Sequence, residues 1–359
     1  MSSTEGAVRT ERATIGHVAE RGQGTSEASM RDYLYDVDEV AALIRRGGGL
    51  LLAGEESALE KLPHGNWIGG TIPYFMTKAG GLEDRKRIFV NELPAGLSCA
   101  GIRRYSKEEI TRVYADLPVG SLGVMIAPAS SDVHLRFALD APTFPQFAAR
   151  PLIGWISGVH LSELGAKAAK VYDGTTGAAL DGHAVVMQIA LPQGKLARIG
   201  ILNIFRQGTG PAITFPTNGF TATEVDVDGT KRNLAEYIDT TKLDTRLPLV
   251  ADYCGLDINV SFQSVDPAKG EVKFYAPVFA NVPYRHAKPV GDYVAEFASK
   301  IPKNLNGNIA FSCNCILNYL YSGLEGKKTG DVACPITFGE VAYQLLNQTL
   351  AYVTVNDAR

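Results

Sequence analysis

The chain has 359 residues, 45% of them hydrophobic and 20% charged, with a net charge of −3. Such a composition belongs to a globular protein too long for one ordinary core, and the lack of a basic field argues against nucleic acid as a partner. No apolar run reaches bilayer-spanning length and the N-terminus has no apolar signal core, so no membrane partner is expected. The five cysteines are read as reduced thiols in a cytoplasmic setting.

Residues 1–30, rich in Ser, Thr, Gly, Glu and Arg, read as a flexible leader. Order is expected from about Tyr33. Asp36 with Glu39 forms a capping-box pattern, and Val40, Leu43 and Ile44 repeat at helical spacing until three glycines, Gly47 to Gly49, stop the helix. A buried strand over Leu50 to Ala53, a helix over Glu56 to Leu62 and a glycine-crowded strand end at Trp67 to Thr71 follow. Ile88 to Val90 reads as a strand. Ser106 with Glu109 is a second capping box, expected to open a helix through Leu117. Leu122 to Ala127 is a continuous apolar strand. Helices thus alternate with buried strands, which is the α/β pattern.

The middle is richer in strands: Pro151 to Gly158, then Ala168 to Tyr172 and Ala184 to Ala190, read as a hairpin about Gly174 and Gly177, then Ala197 to Phe205. Pro211, Pro216 and Asn218-Gly219 break the pattern, and the boundary between two halves is placed there, giving domains 31–210 and 211–359. The second half begins with a helix over Asn233 to Ile238. Strands over Ile258 to Phe262 and Val272 to Tyr275 come next, turned at Asp266-Pro267 and Gly270, then a helix over Asp292 to Lys300. A strand through Cys313 and a closing strand over Leu350 to Val355 complete the chain.

Several residues carry chemistry. Cys313 and Cys315, one residue apart on a strand, point to the same face. They are either buried small residues or pocket thiols, and a reactive Cys313 would need a lowered thiol pKa. Glu340, after Gly339, can accept hydrogen bonds from a ligand or simply favour a helix start. Asn347 and Gln348 offer amides to a ligand or cap the last strand. Gly69, Gly70 and Thr71 could form an anion nest, and Trp67 and Tyr74 could wall a pocket; ordinary turn and core roles are the plain alternatives. The histidines are scattered, with His160 and His183 the two to test for haem.

Three stretches together resemble the FIST domain, an intracellular sensory module with N- and C-terminal parts. They are Trp67-Ile68-Gly69-Gly70-Thr71-Ile72-Pro73, then Pro151 to Gly158 with Asp181 to Val186, then Phe311-Ser312-Cys313 with Phe338 to Ala342 and Asn347 to Leu350. The family pattern has glycine and arginine after its Phe-Ser-Cys, where Asn314, Cys315 and Ile316 stand here; Trp155 and Val159-His160 are further departures.

The resemblance implies a fold of two related α/β halves. Their mixed sheets would pack together and carry helices on the outer faces, a layered α-β-β-α sandwich. It implies a stand-alone module of signal transduction that binds a small molecule and passes the signal to a separate output protein. The expected ligand site lies between strand ends of the two halves, at Trp67, Gly69, Gly70, Thr71, Tyr74, Gly154, Ser157, Cys313, Cys315, Glu340, Asn347 and Gln348, with no cofactor named. A thiol-dependent enzyme with Cys313 as nucleophile and Glu340 or a histidine as base is the alternative, and a haem- or metal-binding sensor the third.

Overall fold

Helix and strand starts follow the local signals. In the computed structural model, which describes residues 33–253, 255–301, 309–330 and 332–358, Asp36 and Glu39 close their capping box around the helix Val37–Arg46. Gly47 then turns the chain with φ 83°, a conformation that costs glycine little. The expected leader, His17 and Cys254 lie outside the described residues.

Three parallel strand pairs organise the fold. Leu50–Gly54 pairs with Trp67–Thr71, Ser121–Pro128 with Leu152–Ser157, and Ile309–Cys315 with Cys334–Thr337. Parallel neighbours need a crossover, and a helix lies in each: Glu56–Leu59, Asp132–Asp140 and Ile316–Tyr321. Antiparallel strands widen these pairs into mixed sheets.

The period-two alternation of strands shows the layering. Leu51 and Ala53 belong to a large shared core, while Leu50 and Leu52 face Val40, Leu43 and Ile44 of the first helix. In Ser121–Pro128, Leu122, Val124 and Ile126 enter the same shared core, and Met125 and Ala127 meet Val133 and Phe137 of the helix Asp132–Asp140. The protein is therefore a mixed α/β sandwich of several sheets with a few peripheral helices. The described residues all belong to one compact unit.

Strands from either side of residue 210 share sheets. Glu340–Ala342 pairs with Leu152–Ser157, Cys334–Thr337 with Tyr74–Thr77, and Leu350–Asp357 with Lys195–Leu202.

Two local expectations are corrected. Val171–Asp173 forms its hairpin with Ala178–Leu180, while Ala184–Ala190 crosses to another sheet, between Ser98–Tyr105 and Ser121–Pro128. The glycines that read as one hairpin loop close a tighter hairpin, and the later strand finds better burial elsewhere. The Ser106–Glu109 capping box is present, yet it opens only the 3-10 helix Glu109–Arg112 followed by turns. Ile110, Val113, Tyr114 and Leu117 are all buried against the neighbouring helix and strands, so packing overrides the helical period.

Candidate functional site

The fold brings four distant segments together. Gly158 donates its N–H to the carbonyl of Thr71 at 2.7 Å. A Cβ on Gly70 would lie 2.7 Å from Ile126 Cγ2 and 3.1 Å from both Ser157 Cβ and Trp155 Nε1, so the strand Trp67–Thr71 passes this close only as glycine. Trp155 stacks on Phe311 at 5.3 Å, Cys313 Sγ donates to the carbonyl of Gly154 at 3.1 Å, and Glu340 is the ladder partner of Trp155. Gly70, Thr71, Gly154, Ser157, Cys313 and Glu340 thus share one region.

That region is closed. Trp67, Thr71, Tyr74, Ser157, Cys313, Cys315, Glu340, Asn347 and Gln348 are all at most 5% exposed. Trp67 and Gly69 turn to the opposite face of their strand, where Trp67 packs under the first helix and donates its indole N–H to Pro63 at 2.9 Å. Tyr74 points its hydroxyl at the backbone N–H of Leu161, 3.1 Å away.

Strand alternation sends Cys313 and Cys315 into the same core cluster, where Cys334 joins them. Beside them, Glu340 Oε2 accepts from the N–H and hydroxyl of Thr349 at 3.2 and 2.8 Å, while Oε1 has no partner among the described residues. Burial pushes the Glu340 carboxyl up to about 8, against the downward pull of its bonds to Thr349 and Cys315. Burial, with the Glu340 charge second, holds the Cys313 and Cys315 thiols well above their usual range, and Cys334 is raised for the same reasons. Near neutrality this centre is uncharged: a carboxylic acid among thiols. Thiolate chemistry at Cys313 needs a shift in the other direction. Among the described residues, no group of three or more His, Cys, Asp or Glu is arranged to hold a metal ion.

Asn347 and Gln348 are held in a buried amide network. Ser261 Oγ hydrogen-bonds both side chains, at 2.7 Å to Asn347. Asn259 Nδ2 donates to both backbone carbonyls at 3.2 Å, and Gln348 Nε2 donates to the carbonyl of Arg246 at 3.0 Å. These bonds tie the last loop to the strand Leu256–Val260. Of the two histidines singled out, His183 is half-buried, and His160 has both ring nitrogens engaged, by Ser162 and Glu83.

Open space lies elsewhere. A cleft of about 480 Å³ is lined by Gly208, Pro211 and Ile213 on one side and His286, Lys288 and Pro289 on another, with Tyr237 and Leu243 as further wall. Tyr237 belongs to the helix Leu234–Thr241, which Asn233 caps by accepting from the N–H of Glu236. His286 is anchored through Nε2 to the carbonyl of Asp244 at 2.9 Å. The lining holds an ammonium and an imidazole and no carboxylate. A second cleft, of about 20 Å³, is lined by Tyr253, Asn259 and Tyr284 among others. Neither cleft is lined by a residue chosen from the sequence. The only signal for the larger one was the Gly/Pro run near residue 210, which reads as a boundary.

The class these features define is a mixed α/β sandwich with a sealed thiol–carboxyl centre and a separate open cleft. The chain belongs to DUF6976, a family of unknown function, whose model matches residues 35–356. No curated protein and no solved structure matches it. No helix among the described residues is long and apolar enough to cross a membrane.

Proposed function

We propose that this protein binds a small molecule, an apolar body bearing one acidic group, in the cleft between residues 208–213 and 286–289. The observation that carries this reading is the cleft itself. Its volume of about 480 Å³ is in the range that encloses a metabolite-sized ligand. Pro211, Ile213, Tyr237, Leu243 and Pro289 offer apolar wall, and Lys288 and His286 supply the only ionisable side chains besides the Tyr237 phenol. An acid is the complementary ligand.

The cleft is lined by residues 208–211 and 213, in the stretch where the sequence reads as a junction between two related halves. A ligand there can favour one arrangement of the flanking segments over another. The three FIST-like stretches support a sensory role read by a separate output protein. The sealed thiols and the neutral Glu340 make the thiol-enzyme reading the weaker one.

Native mass spectrometry of the purified protein tests for a retained ligand, and thermal-shift titration with aromatic and alicyclic carboxylic acids tests the class. Tyr237→Ala is expected to weaken binding about tenfold, as loss of a half-buried aromatic wall does. The proposal fails if no molecule is retained and no acid raises the melting temperature, or if binding is unchanged in Tyr237→Ala and Lys288→Glu.

A further inference from the structure

The turn after the strand Leu152–Ser157 carries a hydrogen-bonded chain of three side chains. His160 Nδ1 lies 2.6 Å from Ser162 Oγ, and His160 Nε2 lies 3.0 Å from Glu83 Oε2. The partners fix the tautomer from both sides. An ionised carboxylate only accepts, so Nε2 carries the ring proton. The backbone N–H of Ser162 also donates to Nδ1, at 3.3 Å, so Nδ1 presents its lone pair. The Ser162 hydroxyl, at 2.6 Å the closer of the two donors, therefore shares the Nδ1 lone pair with the backbone N–H, and a proton passed to Nδ1 displaces that weaker capping bond. The ring is held in place: it stacks on Tyr74 at 5.7 Å, and the Tyr74 hydroxyl accepts from Leu161, between the histidine and the serine. Ser162 is exposed, whereas the His160 side chain is only 19% exposed.

We propose that Ser162, His160 and Glu83 form a nucleophile, base and orienting acid that hydrolyse small carboxylic esters. Ser162 and His160 are the catalytic residues, and Glu83 is a positioning residue that acts through His160. As Ser162 Oγ bonds to the ester carbonyl carbon, its proton passes to His160 Nδ1, and Glu83 stabilises the imidazolium. Collapse of the tetrahedral adduct breaks the bond to the alcohol oxygen, which leaves with the proton from His160. Water then attacks the acyl-serine, gives a proton to His160, and releases the carboxylic acid as Ser162 recovers its own. No oxidant or cofactor is needed. The open position of Ser162 favours small, unhindered acyl groups over chains that need an enclosing pocket. This site is separate from the cleft of the proposed function.

His160 also caps the short 3-10 helix Leu161–Glu163, so the test must separate chemistry from capping. The intact protein is treated with a fluorophosphonate and assayed with p-nitrophenyl acetate. One adduct is expected, mapped by peptide mass spectrometry to Ser162. Ser162→Ala keeps the capping N–H and should retain the wild-type circular dichroism and melting temperature while losing both adduct and hydrolysis. His160→Ala should slow labelling by about 10²–10⁴-fold, the usual worth of a positioned base. Glu83→Gln should lower kcat with KM little changed. Absence of an adduct, an adduct at another residue, or undiminished hydrolysis in Ser162→Ala overturns the proposal.

Discussion

Replacing Glu340 by glutamine should remove a pH dependence built into the core. The side chain is fully buried, and burial raises its carboxyl from an ordinary 4.5 to about 8. The folded protein therefore keeps this proton across a window in which the unfolded chain releases it. Because the native state binds the extra proton, stability is lost as pH rises from about 4.5 through about 8. Between pH 5 and pH 8.5 the loss amounts to on the order of 4 kcal/mol, from a carboxyl moved from 4.5 to about 8 at 1.36 kcal/mol per tenfold change in proton affinity, less the part already lost at pH 5. The amide oxygen of glutamine can keep the two bonds from Thr349. Its NH₂ takes the place of Oε1, where the neutral acid already carries an O–H with no acceptor among the described residues, so the exchange puts one unpaired donor group in place of another. Glu340→Gln should thus lie within about 1 kcal/mol of the wild type at pH 5 and be the more stable protein at pH 8.5. Urea unfolding at half-unit steps of pH, with the two curves subtracted, cancels the groups common to both. A difference that stays flat from pH 5 to pH 8.5 would refute a carboxyl held neutral by burial.

Gly154→Ala should cripple folding, because a Cβ there would stand 1.8 Å from the carbonyl oxygen of Met125 on the paired strand; soluble yield and the urea midpoint both report it, and a near-normal midpoint would contradict the packing. Among the four described cysteines, alkylation under native conditions should reach half-buried Cys99 first, with Cys313, Cys315 and Cys334 reacting only at the rate of global opening. Peptide mapping over time checks the order, and fast native modification of Cys313 would revive the pocket-thiol reading.

Much of the local structure is legible in the chain. The Asp36–Glu39 box, the Gly47 stop, and the Asn233 and Asp292 caps act within a few residues of themselves, so sequence alone locates the helices they open. The apolar run Leu122 to Ala127 is buried on both faces, as its lack of alternation implies. Local signals fail where burial decides. Tyr114 and Leu117 sit at helical spacing yet end in turns, and Ala184–Ala190 leaves the hairpin it was expected to close.

The candidate site shows the same division more sharply. Sequence picked out glycines, thiols, a carboxyl and amides, and these segments do meet. Whether their meeting leaves a hollow depends on Trp155, Phe311 and Ile126 filling the space between strands far apart in the chain. They fill it, so Glu340 becomes a buried acid and Asn347 and Gln348 become internal ties. The larger cleft and the Ser162–His160–Glu83 chain are visible only after folding, since Glu83 lies 77 residues before His160 and no spacing rule links them. Sequence by itself determined where the capped helices and the most apolar strands begin and which residues prefer the interior, because those preferences act over one or two turns of chain; the helix Asp132–Asp140 and the strand Ser98–Tyr105 came only with the fold. Tertiary structure alone decided which polar groups are sealed, paired or open to a ligand, because solvent access is a property of surfaces brought together from distant parts of the chain.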